Sequence, residues 1–394
     1  MRGRIKAALC LILTVVLTFS GGCANARELN ELIIVMGIGM DVDTEAEDNV
    51  KLIAQIVLPE KLSSGSDDSS GGSTDKAFVN LSSSAPGTFE AVRNYTHLIT
   101  GKLYISHNQI IVIGRGLAER GISRMLDFFV RAKETRPTVN FLIADTTAEE
   151  VLGIQPEMNM MPAIYLNKLV EAQIENSQSF SADLIDYISA MQSETLSLVI
   201  PIVHLEMNGE NVVHVINSMA VFKGDRMVGE LNSTQTRGLL WVKGRVSSGS
   251  IDVDIDDGIA SLEILSATSK VEPVVSDDGK VTMRISISTD LRLTEQTCTE
   301  NLATDENILR LQGLVNEAIR EKVEQVFEQA KALHADVFGF GELIHKHHND
   351  IWGEMEPHWD EIFQTITLDI EIDPTIKAAG SIEEPVWDRG GLEP

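Results

Sequence analysis

The first 23 residues constrain this chain more than any later stretch. Arg2, Arg4 and Lys6 give a cationic start, Ala7 to Phe19 form an apolar run, and Ser20, Gly21 and Gly22 lead into Cys23. Positive charge, then an apolar core, then small residues is the order of an export leader. The apolar run falls short of the roughly 20 residues that cross a bilayer, and polarity returns at once with Asn25, Arg27, Glu28 and Asn30. Residues 1–22 therefore read as a removable signal peptide in front of an exported globular body.

Small residues directly before a cysteine resemble the lipobox of bacterial lipoproteins, in which the thiol receives a diacylglycerol and the cysteine becomes the new N-terminus. Cys23 is thus the expected lipidation site, with Ser20 standing where that motif usually has an aliphatic residue. Cys10 lies in the leader and Cys298 is alone in the body, so neither an internal disulfide nor a paired-cysteine metal or redox motif is available. Net charge points the same way. At −27, with a leader that carries no acidic residue, the mature chain repels phosphate backbones, which argues against nucleic acid as a partner. Overall charge cannot hold it on an anionic bilayer either, so a covalent anchor is the expected tether.

Hydrophobic residues make up 43% of 394 positions, enough for more than one packed core. Residues 32–39 and 50–58 are β-branched apolar runs separated by an acidic turn and read as a strand pair. Residues 62–75 are a Ser/Gly-rich loop. Strands then alternate with helices: a strand at 78–81, a helix near 87–99, a strand at 103–113, a helix near 117–131, a strand at 139–144 and a short helix at 148–152. Residues 158–191 read as helical and 196–205 as a strand. This alternation predicts an α/β region over 23–206.

The stretch 210–295 changes character. Turn signals recur at Lys223-Gly224-Asp225, Asp257-Gly258 and Asp277-Asp278-Gly279, and Val281, Met283, Ile285 and Ile287 alternate with polar residues as in a half-buried strand. Then Ile308, Leu311, Val315, Ile319, Val323, Val326, Phe327, Ala330 and Leu333 form one apolar stripe, with Thr304 placed to cap it. Gly339 and Gly341 are expected to end this helix, with positive φ, and Phe338 and Phe340 to pack beneath it, as a structural corner. A second helix near 342–355 and a strand at 366–372 follow. The expected fold class is therefore α/β joined to α+β: mixed sheets with covering helices, and over 207–382 an antiparallel sheet packed by one long amphipathic helix. Residues 383–394 read as a tail.

Three clusters could carry chemistry, and each has a plainer reading. Asp252, Asp254 and Asp256 with Glu263 approximate a calcium loop, but Asp257 occupies the position where such a loop turns on glycine; the pattern fits the wet face of a strand ending in a hairpin. His345, His347, His348 and Glu342 read as the polar end of a helix, not a rigid ligand set. Gly114-Arg115-Gly116 through Gly121 lacks the third glycine of a dinucleotide loop and the lysine of a phosphate loop. No nucleophile elbow and no zinc-protease motif is present. The expectation is a chain with no catalytic residues, no metal and no cofactor.

Four blocks resemble one family. Arg27-Glu28-Leu29-Asn30-Glu31-Leu32 and Val35-Met36-Gly37-Ile38-Gly39-Met40-Asp41 follow the anchor cysteine. Lys102-Leu103-Tyr104-Ile105-Ser106-His107-Asn108-Gln109 comes next, with Leu126-Asp127-Phe128 downstream. The third block runs from Arg136 to Leu152. The fourth is Asp336-Val337-Phe338-Gly339-Phe340-Gly341-Glu342, followed by Trp352 and Trp359-Asp360-Glu361. In order and spacing these resemble the C-subunit lipoproteins of bacterial spore germinant receptors, the Ger(x)C family, over nearly the whole chain. Ala24-Asn25-Ala26 departs from the Trp-Asp common there, and 62–75 looks like an insertion. The resemblance implies a three-domain ectodomain on the outer face of the inner spore membrane. It also implies two polytopic partners, an A-type and a B-type receptor subunit, a role in nutrient-triggered germination, and no catalytic residues. The rival reading is a substrate-capture lipoprotein of a membrane transporter, which would show two α/β lobes around a ligand cleft.

Overall fold

The computed structural model describes residues 2–3, 32–58, 76–156, 158, 160–277 and 279–378; Cys23, the Ser/Gly stretch 62–75 and the tail 383–394 lie outside them. β1 (Leu32–Val42) and β2 (Val50–Val57) pair antiparallel, as their apolar runs predict, with Ile38 opposite Ala54 and Met40 opposite Leu52. β3 (Phe78–Ala85) adds to the far side of β2. After α1 (Thr88–Asn94), β4 (Lys102–Tyr104) and β5 (Ile110–Gly114) both run parallel to β1. One strand was expected here. A turn at Ile105–Asn108 breaks it, the Asn108 N–H donating to the Ile105 carbonyl at 3.0 Å.

The helix expected over 117–131 is likewise two, α2 (Arg115–Arg120) and α3 (Ser123–Arg131), parted at Gly121. Gly121 has φ +124°, a backbone conformation that calls for glycine, and a Cβ there would lie 2.8 Å from the Asp225 carboxylate. β6 (Asn140–Ala144), α4 (Ala148–Gly153), α5 (Pro162–Glu175), α6 (Leu184–Gln192) and β7 (Val199–Asn208) follow, with β5, β6 and β7 parallel. β8 (Asn211–Lys223) and β9 (Arg226–Leu231) return antiparallel. Among the described residues the sheet has nine strands in the order β3-β2-β1-β5-β6-β7-β8-β9, with β4 beside β1. Successive residues of β5 point to opposite layers. Ile111 and Ile113 pack with Ala91, Leu126 and Tyr187 from α1, α3 and α6, and Ile110 and Val112 with Val151, Leu152 and Leu166 from α4 and α5. The β7–β8 hairpin spans residues 206 and 207, so the first sheet continues past the expected boundary to Leu231.

Next comes α7 (Ser233–Val242), where the sequence reading has only strands and turns. A reciprocal cap starts it. Asn232 Oδ1 accepts from the Gln235 N–H and Gln235 Oε1 from the Asn232 N–H, both at 2.9 Å. β10 (Ser250–Ile255), β11 (Gly258–Val275) and β12 (Val281–Gln296) then form an antiparallel meander. Val281, Met283, Ile285 and Ile287 face inward and are at most 2% exposed, as their alternation predicts. α8 (Asp305–Ala332) covers that face with Leu311, Val315, Ile319, Val323 and Phe327, its start capped by Thr304.

Three short helices, α9 (Phe340–His347), α10 (Asn349–Met355) and α11 (Trp359–Thr365), lead to β13 (Thr367–Ala378). β13 joins β12 parallel, with Ile285 opposite Ile370. The second sheet is therefore mixed, and antiparallel only from β10 to β12. A connection through four helices is long enough to return the chain to the same end of the sheet, which a tight turn cannot do. The two sheets share one core: Val199, Met219, Val221 and Leu231 of the first lie in the same cluster as β12 and α8. Where α7 crosses α8, Gly238 lets the helices meet backbone to backbone; a Cβ there would sit 2.0 Å from the Lys322 carbonyl oxygen.

Candidate functional site

Cys23, the expected lipid site, is outside the described residues. Phe338, Gly339, Phe340 and Gly341 are within them, where the chain turns from α8 into α9. α8 ends at Ala332, with the left-handed His334 (φ +51°) just beyond its cap Leu333, and not at Gly339. Gly339, at φ +79°, instead caps the start of α9. Phe338 and Phe340 stack with centroids 4.7 Å apart and lie 6.1 and 6.4 Å from Phe327 on α8. A Cβ on Gly341 would meet Thr195 Oγ1 at 2.6 Å.

At the centre lies Asp336, to which the sequence reading gave no role. Its carboxylate accepts from the backbone N–H groups of Phe338 (3.2 Å), Gly339 (2.9 Å), Phe340 (3.1 Å) and Gly341 (2.9 Å). Burial pushes its pKa above the ordinary carboxylate range, while those donors and Lys243 pull it back. Lys243, at the end of α7, donates to the Phe338 carbonyl at 3.4 Å, and burial pushes its ammonium down to about 8. The Asp336 carbonyl in turn accepts from the Ser197 N–H at 3.0 Å. The corner thus fastens the α6–β7 connection of the first layer to the second. The signal for it was the acid three and five residues ahead of Gly339 and Gly341, with φ-free glycines letting successive N–H groups converge. Beside the corner opens a cleft of about 820 Å³ lined by Lys243, Phe338, Glu342, His345 and Lys346.

A second buried aspartate explains the Val35–Asp41 block. Asp41 accepts from the Ala148 and Glu149 N–H groups at 2.8 and 3.0 Å and so anchors the start of α4. Burial raises its pKa, and the two N–H donors oppose that. Gly37 and Gly39 on the same strand admit α5 and α4 onto the sheet: a Cβ at Gly37 would lie 2.5 Å from Ala163 Cβ.

The three clusters with possible chemistry are drawn apart. Asp256 pairs with Arg310 at 2.7 Å and Glu263 with Arg292, while Asp257 accepts from the Thr299 hydroxyl at 2.7 Å at the hairpin turn. His345 stacks on Trp352 at 5.3 Å, His348 faces the Pro273 carbonyl, and Glu342 accepts from Ser193. Arg115 forks to Asp145 and Glu230. Among the described residues, no three His, Cys, Asp or Glu side chains converge as a metal site would need, and no helix is long and apolar enough to cross a membrane.

The described residues define a two-sheet α/β scaffold whose buried charges hold its own corners. Two family profiles match it in order: the spore germination protein N-terminal domain over residues 25–205, and the spore germination B3/GerAC-like C-terminal domain over residues 217–380. The chain belongs to this GerAC-like family of spore germination proteins, a germinant receptor C subunit by kind. It is similar to spore germination protein KC of Bacillus subtilis, 22% identical over 408 residues covering 98% of each chain. It is also similar to spore germination protein B3 of the same organism, 25% identical over 367 residues covering 92% of this chain and 95% of the other. The crystal structure of the GerBC protein shares the fold, with a TM-score of 0.58 and 20% identity over 86% of this chain and 97% of that one.

Proposed function

We propose that the chain is a lipid-anchored, non-enzymatic subunit of a nutrient germinant receptor. Cys23 carries the lipid, and the ectodomain stands on the outer face of the inner spore membrane beside an A-type and a B-type polytopic subunit. One observation carries this reading: both germination domains occur in order across residues 25–380, directly behind an export leader that ends in Cys23. The rival, a capture lipoprotein feeding a transporter, calls for two α/β lobes around a cleft. Here, among the described residues, a nine-stranded sheet shares one core with a four-stranded mixed sheet. In this reading the ectodomain divides near residue 206, between the two matched germination domains, while the first sheet runs on to Leu231.

Confinement to a membrane plane raises the effective concentration of partners, so a modest interface suffices to hold a complex. The test is deletion of the gene followed by exposure of the spores to a nutrient panel, with a pull-down of the tagged protein from detergent-solubilised spore membrane. Loss of the response to one nutrient class, and co-purification of two multi-spanning subunits, is the expected result. Recovery with a substrate-transport ATPase system would favour the rival.

A further inference from the structure

An apolar groove of about 420 Å³ opens between α1, α3 and β4, lined by Phe89, Val92, Tyr95, Ile99, Leu103 and Phe128. Phe89 is 60% exposed and neighbouring Leu98 55%. Together with the groove lining they extend one contiguous apolar patch, the kind of surface used for interaction. The polar rim carries Arg93, Lys102 and Lys133 against a single carboxylate, Glu134, on a chain whose net charge is −27. Lys102 is paired with Glu134; among the described residues the ion pairs include neither Arg93 nor Lys133.

The position of the groove says what covers it. Leu32 and Ile33, which open β1, pair with Lys102 and Leu103 in its wall. Cys23 precedes Leu32 by nine residues, a tether of at most about 32 Å at 3.3–3.6 Å per extended residue. A lipid on Cys23 therefore keeps this face close to the bilayer. At about 0.1 M salt, charges further than roughly 10 Å from the surface are screened, so the acidic body contributes little repulsion there and the cationic rim dominates.

We propose that this groove is the membrane-resting face of the ectodomain: it seats an acyl chain of an anionic phospholipid, with the phosphate between Arg93 and Lys133. Phe89 and Leu98 enter the interface beside it, and the contact fixes the tilt of a body that the anchor alone would leave free to swing. The inference rests on the anchor reading given under Proposed function.

The test uses the full lipidated chain on phosphatidylcholine vesicles with and without phosphatidylglycerol. An environment-sensitive fluorophore is placed at Leu98→Cys or, as control, at Leu309→Cys, an exposed position on α8. The natural Cys298 is buried and takes no label. Flotation reads the anchor, and quenching by spin-labelled lipid reads the face. The expected result is a blue shift and loss of emission at 98 but not at 309, strongest with phosphatidylglycerol. The Arg93→Glu/Lys133→Glu variant should reverse this while still floating. Equal quenching at both positions in protein that floats overturns the inference alone. Protein that does not float overturns the anchor and the inference with it. Shielding of position 98 in native membrane but not in pure lipid would assign the face to a protein and also overturn it.

Discussion

The Asp336 carboxylate lies 2.9 Å from the Gly341 N–H, and this contact completes a set of four backbone donors around one buried side chain. Three of the donors reach Oδ1 and one reaches Oδ2, which makes the corner sensitive to chemistry in a graded way. Asp336→Ala leaves every donor without its acceptor and should destabilise the fold by about 3 kcal/mol. Asp336→Asn can keep the three bonds to its single oxygen and should cost about 1 kcal/mol. Urea denaturation of the two variants checks the order; equal losses would show that the corner does not depend on the carboxylate.

Lys243 gives the corner a pH signature. Burial lowers its folded pKa to about 8, from 10.5 in the open chain, with Asp336 pulling the other way. Between those values the unfolded chain holds more protons than the folded one, so this group makes stability rise with pH, by up to about 1.4 kcal/mol per unit. Below pH 8 the penalty is fully present. Relative to Lys243→Met, the parent should therefore gain stability from pH 8 to pH 10.5. Parallel curves for the two proteins would contradict this.

Gly339 holds φ +79°, where a β-branched side chain is strained. Gly339→Val should lower stability by about 1–3 kcal/mol, and Gly339→Asn by less, since Asn tolerates the left-handed region. Thermal melts followed by circular dichroism read the difference.

Gly238 is the contact point of α7 and α8. A Cβ at 2.0 Å from the Lys322 carbonyl oxygen overlaps backbone, which cannot rotate away as a side chain would. Gly238→Ala should part the helices and cost about 1–3 kcal/mol. A variant that melts with the parent would mean that the crossing is looser than its geometry.

Cys23→Ala should abolish lipid labelling and lower the membrane-bound fraction, because each buried methylene of an acyl chain contributes about 0.8 kcal/mol to retention. Metabolic labelling with a fatty-acid analogue and fractionation of spore membranes provide the check.

Much of the secondary structure was legible because it follows short-range periodicity. The strand pair at 32–58, the alternation of Val281 to Ile287 and the stripe along α8 each need only a window of residues to be read. The misreadings came where a local signal was subtle or its partner was remote. α7 was missed although Asn232 and Gln235 spell a capping pair, because the surrounding turns suggested strands. The strand at 103–113 is broken by the turn at Ile105–Asn108, and the helix at 117–131 by Gly121 at φ +124°, neither of which changes the local apolar periodicity.

The sequence by itself determined the strand pair at 32–58, the alternation that makes the first half α/β, and the long covering helix. These are set by which side chains recur at two or at three to four positions, a property each segment carries alone. Only the tertiary structure decided that β13 joins β12 parallel, that β8 and β9 extend the first sheet, and that Asp336 anchors the turn of Phe338, Gly339, Phe340 and Gly341. Those outcomes depend on which remote backbone meets which. Strand direction is fixed by the path between strands, and a buried carboxylate acquires its role only from the N–H groups that folding brings around it.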